Sequence, residues 1–270
     1  MIEKFYIPTL GRVSNQITYS NLPSELKDKV IMVVQQNERD FYDYDVEYLV
    51  VDDDIGIAKT RELICRDAGE TRFSMWDDDV VIYRRNQKYW SDYQNKSNMG
   101  GAKRKATDED FVEMYELFNM WMDKGIIHIG HRRNNLPPGG RLPYSTNVFF
   151  NAIHTINGEL LSEIIDEIDW TYCEFGEDAH FMLEYLTRGY SNRRTDEFPA
   201  HWDTYQDGGC QLFRNSENHN REHLKLEKKY PLFVSHKEMI AQGKYGKNIG
   251  VIKEFKYDMK MAFKSSQNKD

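Results

Sequence analysis

Cysteine is scarce in this chain. Its 270 residues hold three, Cys65, Cys173 and Cys210, an odd number at wide spacings. That excludes a small domain stapled by disulfides, and no pair has the close spacing of a zinc finger. A reducing cytoplasm is the simplest setting for three scattered thiols. Long hydrophobic runs are lacking as well. No apolar stretch approaches the roughly 20 residues that span a bilayer, so no membrane partner is expected. The start, Met1-Ile2-Glu3-Lys4-Phe5, reads as the approach to a strand and not as a secretory leader. There is no internal repeat. Nor is there an excess of positive charge, because the formal net charge is −8.

What is present suffices for a large core: 40% of the residues are apolar and 13% aromatic, so global disorder is excluded. The charge is unevenly spread. Residues 81–105 carry seven Lys or Arg against one Asp, and residues 221–270 carry twelve against six acids, so each zone is +6 within an acidic chain. Two basic zones of this kind are compatible with an anionic macromolecule docking at a defined face. Ordinary solvated lysines would produce the same count.

The most informative stretch is Arg72-Phe73-Ser74-Met75-Trp76-Asp77-Asp78-Asp79-Val80-Val81-Ile82-Tyr83. An apolar run breaks into three consecutive aspartates and resumes. Adjacent carboxylates repel, which is costly unless something positive is bound there. Hard divalent cations take oxygen ligands, and Mg²⁺ typically uses one or two carboxylates plus substrate phosphate oxygens. Side chains alternate along an extended chain, so Asp77 and Asp79 are expected to point together and Asp78 away.

Lys4 to Ile7, Val30 to Val34, Tyr48 to Val51 and Arg72 to Trp76 read as strands, each a short apolar run. A helix is expected from Ile55 to Ala68, stopped by Gly69. Strands alternating with helices predict an α/β fold: a mostly parallel sheet flanked by helices. In such sheets ligands collect beyond the carboxyl ends of the strands. Thr9, Gln35-Gln36, Asp52 to Asp54 and Asp77 to Asp79 all fall there. Further on, Thr107 caps a helix running to about Lys124, Ile126 to Gly130 is a strand, and Asn147 to Ile153 is another. Glu159 to Ile168 has helical spacing, and a helix opens at Glu177 behind Gly176. Ser91 to Lys105 reads as a loop, Leu224 to Lys229 as a helix, and Val251 to Phe263 as a helix or strand. The chain is expected to divide into a main α/β domain over 1–212, with halves 1–105 and 106–212. A helical, basic C-terminal extension follows over 213–270.

The order of these features resembles nucleotide-sugar glycosyltransferases of the GT-A fold. Ile7-Pro8-Thr9 and Arg12 look like the first strand and nucleotide loop. Gly56-Ile57-Ala58-Lys59-Thr60-Arg61 is similar to the helix whose basic residue approaches the donor. Trp76-Asp77-Asp78-Asp79 looks like the Asp-x-Asp motif, and Phe175-Gly176-Glu177-Asp178 like the Gly-Glu-Asp element of many inverting members. Asp207-Gly208-Gly209-Cys210-Gln211, with Arg214, His219 and His223 downstream, resembles phage DNA-modifying enzymes of the TET-associated glycosyltransferase group.

The resemblance implies a donor site of Thr9, Arg12, Gln36, Lys59, Arg61 and Asp77. It implies a divalent metal, Mn²⁺ or Mg²⁺, held by Asp77, Asp79 and His201, and a base at Asp178 or Glu177. The donor would be UDP-linked. The favoured acceptor would be a hydroxymethylated pyrimidine in double-stranded phage DNA, in a host cytoplasm, met by Arg132, Arg133, Arg141, Gly208 and Gly209. The basic loop of Arg84, Arg85 and Lys103 to Lys105, interleaved with Tyr89, Trp90 and Tyr93, suits phosphates and exposed bases. His128 and His131 are a second set that would face the acceptor, whereas His180 reads as structural. Two readings compete: the same fold acting on a polysaccharide or lipid-linked glycan, and a metal-dependent nuclease or DNA-binding protein. A nuclease needs no sugar-nucleotide pocket and leaves Thr9, Arg12 and Arg61 without a role.

Overall fold

The computed structural model describes residues 2–85, 103–138, 142–202, 216–242 and 248–267. Four apolar segments form its parallel half: β1 (Lys4–Pro8), β2 (Val30–Gln35), β3 (Glu47–Val51) and β4 (Arg72–Trp76), in the spatial order β3-β2-β1-β4. Short helices α1 (Ile17–Asn21) and α2 (Ser24–Lys27) join β1 to β2, and α3 (Gly56–Ala68) joins β3 to β4. The helix α3 ends at Gly69, as its spacing predicts.

Beyond β4 the sheet is mixed. β9 (Ile153–Asn157) lies antiparallel to β4 and to β7 (Ile126–Arg133), and β10 (Ser191–His201) runs parallel to β7. β5 (Val81–Arg85) and β6 (Lys103–Lys105) finish the edge, and β8 (Tyr144–Thr146) pairs with β10. Helices cover both faces. On one side α4 (Asp108–Met122) buries Phe111, Met114, Phe118 and Trp121 together with Trp76 and Phe5. On the other, α3 packs with α5 (Gly158–Ser162) and α6 (Glu177–Leu186), and the core continues through Cys65, Phe73, Ile127 and Cys173. Fold class and parallel half therefore match the expectation.

Several elements differ from it. Asn147 to Ile153 is not one strand: Asn147 and Ala152 take left-handed backbone, at φ 51° and 67°, and the chain is irregular between β8 and β9. The Glu159–Ile168 helix breaks after Ser162 and resumes as a single 3₁₀ turn over Ile165–Glu167, at the stiff β-branched pair Ile164-Ile165. The loop expected over Ser91–Lys105 ends in β6, and the polar segment before Ala200 is β10. The C-terminal segment is not purely helical: α7 (Ser216–Lys229) and α8 (Met259–Gln267) enclose an antiparallel pair, β11 (Val234–Gln242) and β12 (Asn248–Tyr257). It also shares the main core, because Leu226, Tyr230, Val234, Met259 and Ala262 are buried with residues of α3 and α6. No helix among the described residues is long and apolar enough to cross a membrane.

Candidate active site

The chain leaves β1 towards β2 and β3 on one side, while β4 flanks β1 on the other, so the sheet has a switch point between β1 and β4. The carboxyl ends of strands open a crevice at such a point. A cavity of about 580 Å³ lies there, lined by Thr9, Arg12, Gln35, Asp54, Gly56, Arg61, the triplet Asp77 to Asp79, Ala152 and Glu174 to Asp178. That volume is typical of a small-molecule site.

On the β1 side, Asp78 anchors the loop after the strand. Thr9 Oγ1 donates to Asp78 Oδ2 at 2.7 Å, and Arg12 forms an ion pair with Asp78 Oδ1. Gln16 Nε2 donates in turn to Thr9 Oγ1 at 2.8 Å. Arg12 also reaches Asp79 Oδ2 at 3.7 Å. Asp78 does not point away from the site as strict alternation would have it. The strand ends at Trp76 and the chain turns, so all three carboxylates border the cavity. Burial raises the carboxyl of Asp78 above its usual range, against the pull of Arg12 and Thr9. Burial likewise pushes Asp77 up to about 7, opposed by Arg61 and reinforced by Asp79, Asp78 and Glu177. It does so although 38% of the Asp77 side chain remains reachable through the cavity.

The far wall is the start of α6. Gly176 is its N-cap at φ 94°, where a side chain is strained, and a Cβ would lie 3.0 Å from His223 Nε2 on α7. Glu177 and Asp178 occupy the first turn, where the helix dipole favours carboxylates. Arg61 projects from α3 between the walls. It contacts Asp178 directly, lies 2.9 Å from Glu177 Oε1 and 3.5 Å from Asp77 Oδ1. One guanidinium thus joins the triplet to the acidic pair. The first turn of α3, at Gly56 and Ile57, also borders the cavity.

The other expected residues are placed as follows. Gln36 is exposed, and its neighbour Gln35 lines the cavity instead. Lys59 turns out to Glu62 at 2.8 Å. His201 ends β10 opposite Val81 of β5. Among the described residues no three His, Cys, Asp or Glu side chains are gathered as a metal-holding group. The carboxylates of Asp77 and Asp79 on one cavity wall do fit the hard-cation mode in which phosphate oxygens and water fill the other positions. Arg132 lies 3.7 Å from the buried Asp196, and Arg133 donates to the Trp202 carbonyl and sits over its ring. His128 and His131 are sealed inside β7, at 0% and 1% exposure, and cannot meet an acceptor directly. His180 is buried on α6 and bonded to the Asp169 carbonyl, a structural role. Arg141, Gly208 and Gly209, with Tyr89, Trp90, Tyr93 and Arg214, lie outside the described residues.

Three contributors were not legible, and a fourth, His223, entered only through the C-terminal resemblance. Trp202, His223 and Tyr257 line the cavity, two of them from the C-terminal segment. His154 of β9 sits behind Asp178, with Nε2 at 3.0 Å from Asp178 Oδ1. A single histidine in an apolar strand gives no sequence signal of such a position.

A family model described as TET-Associated Glycosyltransferase matches residues 4–209. No curated protein sequence matches. Among solved structures, A197 from STIV aligns over 76% of this chain and 87% of its own at 13% identity and a TM-score of 0.40. The 4-diphosphocytidyl-2C-methyl-D-erythritol synthase from Anaerococcus prevotii DSM 20548 aligns over 76% and 92% at 10% identity and a TM-score of 0.41.

Proposed function

The chain belongs to the TET-associated glycosyltransferase family, and from that premise we propose that it transfers a sugar from a UDP-linked donor to a hydroxyl acceptor with inversion at the anomeric carbon. The observation that carries this reading is the meeting of the triplet, Arg12, Arg61 and the Glu177-Asp178 pair on one cavity at the switch point. The favoured acceptor is a hydroxymethylated pyrimidine in double-stranded DNA. The family's description and the +6 segment 81–105 support that choice.

Each wall has its part. Thr9 and Arg12, braced by Asp78, receive the nucleotide. The diphosphate lies between Arg12, Arg61 and the amino end of α3, whose free backbone N–H groups suit an anion. Asp77 and Asp79 would hold the divalent ion, Mn²⁺ or Mg²⁺, which when bound offsets charge on the departing diphosphate. Asp178 accepts the proton of the acceptor hydroxyl as that oxygen bonds to the anomeric carbon. The bond from that carbon to the diphosphate oxygen breaks, and its electron pair leaves with the nucleotide. Glu177 is held to Arg61 beside it. A pyrimidine would have to be flipped out of the duplex to reach this cavity, at a cost of about a few kcal/mol.

A thermal-shift screen of sugar nucleotides with and without Mn²⁺ tests the donor half, since ligands stabilise by mass action. A metal-dependent rise in Tm with a UDP-sugar is expected, and no shift with any sugar nucleotide refutes the assignment. Mass spectrometry of hydroxymethylcytosine-containing duplex after incubation tests the acceptor. An unmodified duplex alongside a modified glycan would move the acceptor to the polysaccharide class.

A further inference from the structure

Behind the wall that carries Asp178, four buried polar side chains run in file from β10 to the cavity. Asn192 lies deepest, and its amide is fixed by the backbone at both ends. Its Oδ1 accepts the Val148 N–H at 3.0 Å, and its Nδ2 donates to the Val148 carbonyl at 3.2 Å. The same Nδ2 donates to the Tyr185 hydroxyl at 2.7 Å. That hydroxyl therefore has its own hydrogen to give, and His128 Nδ1 lies 3.0 Å away. His128 Nε2 meets His154 Nδ1 at 2.9 Å, and His154 Nε2 meets Asp178 Oδ1 at 3.0 Å.

With the amide fixed, His128 Nδ1 is the one acceptor within reach of the Tyr185 hydrogen among the described residues, and that sets the direction of the donors after it. Tyr185 donates to His128 Nδ1, so the His128 proton is on Nε2. That proton goes to His154 Nδ1, so the His154 proton is on Nε2 and faces the carboxylate. Both rings are closed off from water, at 0% and 1% exposure, and burial lowers both well below the usual histidine value, which keeps them neutral. Phe150 packs edge-on against His128 at 4.6 Å between centroids and holds that ring in line. The last link is at hydrogen-bond distance but misaligned, and His154 Nε2 lacks a well-directed partner. Catalytic hydrogen bonds commonly tighten only once substrate is seated.

We propose that Asn192, Tyr185, His128 and His154 form a one-way hydrogen-bond relay that positions the Asp178 carboxylate. It rests on the reading of Asp178 as the base. Arg61 and His154 both address Oδ1, which turns Oδ2 over to the acceptor hydroxyl. The direction of the relay also limits the chemistry. His154 Nε2 already carries a proton and cannot take another from Asp178. The acceptor's proton therefore stays on Asp178 until it leaves through the cavity. All four are positioning residues, because none touches the reacting atoms.

Long-range ¹H–¹⁵N spectra of the histidine-labelled full-length chain test the relay without an acceptor. At pH 7 both His128 and His154 are expected as neutral Nε2–H tautomers. Tyr185→Phe keeps the ring and removes the donor, so it should shift both tautomer signals. A His154 that is doubly protonated or Nδ1–H overturns the relay, as does a Tyr185→Phe spectrum with His154 unmoved. In a transfer assay with UDP-glucose and hydroxymethylcytosine duplex, Tyr185→Phe should lower kcat with donor KM unchanged. His154→Leu should lower kcat on the order of 100-fold, and His154→Gln, which restores an N–H, should recover part of it. Full kcat in Tyr185→Phe and His154→Leu with Asp178→Asn inactive rejects the relay and leaves the base in place. An active Asp178→Asn rejects the base, and the relay's purpose with it, whatever the tautomers.

Discussion

Arg61 on α3 and Asp178 on α6, 117 positions apart in the sequence, form a direct ion pair inside the cavity. The same guanidinium lies 2.9 Å from Glu177 and 3.5 Å from Asp77 while only 8% exposed. A guanidinium spreads five N–H donors over a rigid planar fork and so reaches carboxylates on both walls, whereas an ammonium is a compact point charge with three donors. Arg61→Lys should therefore stay folded, bind sugar nucleotide more weakly in thermal shift and transfer at least about tenfold more slowly. Arg61→Ala leaves partly buried acids uncompensated and should cost about 3–5 kcal/mol in denaturant unfolding. Wild-type stability in Arg61→Ala would mean that the cluster is already balanced by water.

The acids of the two walls should separate by phenotype. Asp77→Ala and Asp79→Ala are expected to lose the Mn²⁺-dependent part of sugar-nucleotide binding and all turnover. Asp178→Asn should keep that binding and lose transfer, because the amide cannot accept a proton. Donor titrations in the presence and absence of Mn²⁺, run beside the transfer assay, distinguish the outcomes. If both triplet variants bind donor with unchanged metal dependence, the ion lies elsewhere.

Asp78 needs its own test, because its place follows from the turn and not from the strand. It holds Thr9 and Arg12 with opposite oxygens. Asp78→Ala strands Arg12 and releases the β1 loop, so donor affinity should fall along with a stability loss of about 3 kcal/mol. Asp78→Asn keeps one accepting oxygen for Arg12 or Thr9 and turns the other into a donor, losing the charge as well, so it should lie between wild type and Asp78→Ala. Equal donor affinity in all three would show that the loop needs no anchor.

The contrast between Asp77 and Asp78 marks what the sequence can reveal. Four apolar runs with helices between them dictate the parallel half, and an open parallel sheet has its crevice at the carboxyl ends of its strands. Thr9 and the triplet were thus placed correctly at the cavity from local pattern alone. Which way Asp78 faces depended on where β4 stopped pairing, a property of β9 and its irregular approach through Ala152. His154, and the place of His223 at the cavity, were illegible for the same reason: each reaches the site by long-range pairing or packing. Gln36 is exposed beside the cavity-lining Gln35, and Lys59 pairs with Glu62 on its own helix, placements too fine for composition and spacing to resolve.

The C-terminal segment should prove inseparable from the rest. Leu226 and Ala262 are fully buried in the main core, and His223 and Tyr257 line the cavity. A chain ending at residue 212 would expose that apolar surface, at roughly 25 cal/mol for each Å². It should lose its cooperative thermal transition and its donor-induced shift. A truncated chain that melts like the full one would make the segment an independent appendage.

Acid should unfold the protein in two stages, and Glu184 on α6 marks the second. Burial alone would raise its carboxyl. Hydrogen bonds from Lys229, Tyr230 and Arg188 outweigh that and hold it down at about 2, against an ordinary value of 4.5. Lys229 Nζ is at 2.8 Å and Arg188 Nη1 at 2.6 Å, and only 5% of the Glu184 side chain is exposed. A folded value below the unfolded one stabilises above pH 4.5, and that stability drains away as pH falls from 4.5 towards 2. The gap corresponds to on the order of 3 kcal/mol. His128 and His154 act earlier in the same direction. Burial lowers them in the folded state, so their contribution is complete above the usual histidine value of 6.5 and declines below it. Each group contributes about 1.4 kcal/mol per pH unit while its folded and unfolded states differ by a proton, so these contributions add. Stability measured by urea unfolding should thus fall below pH 6.5, opposed there by the raised Asp77, and should fall faster once Glu184 adds below 4.5. Glu184→Gln should be less stable at neutral pH and should lose the added slope below 4.5, whereas His128→Phe should weaken the fall that begins at 6.5. A Glu184→Gln protein with an unchanged acid profile would assign the added slope to other carboxylates.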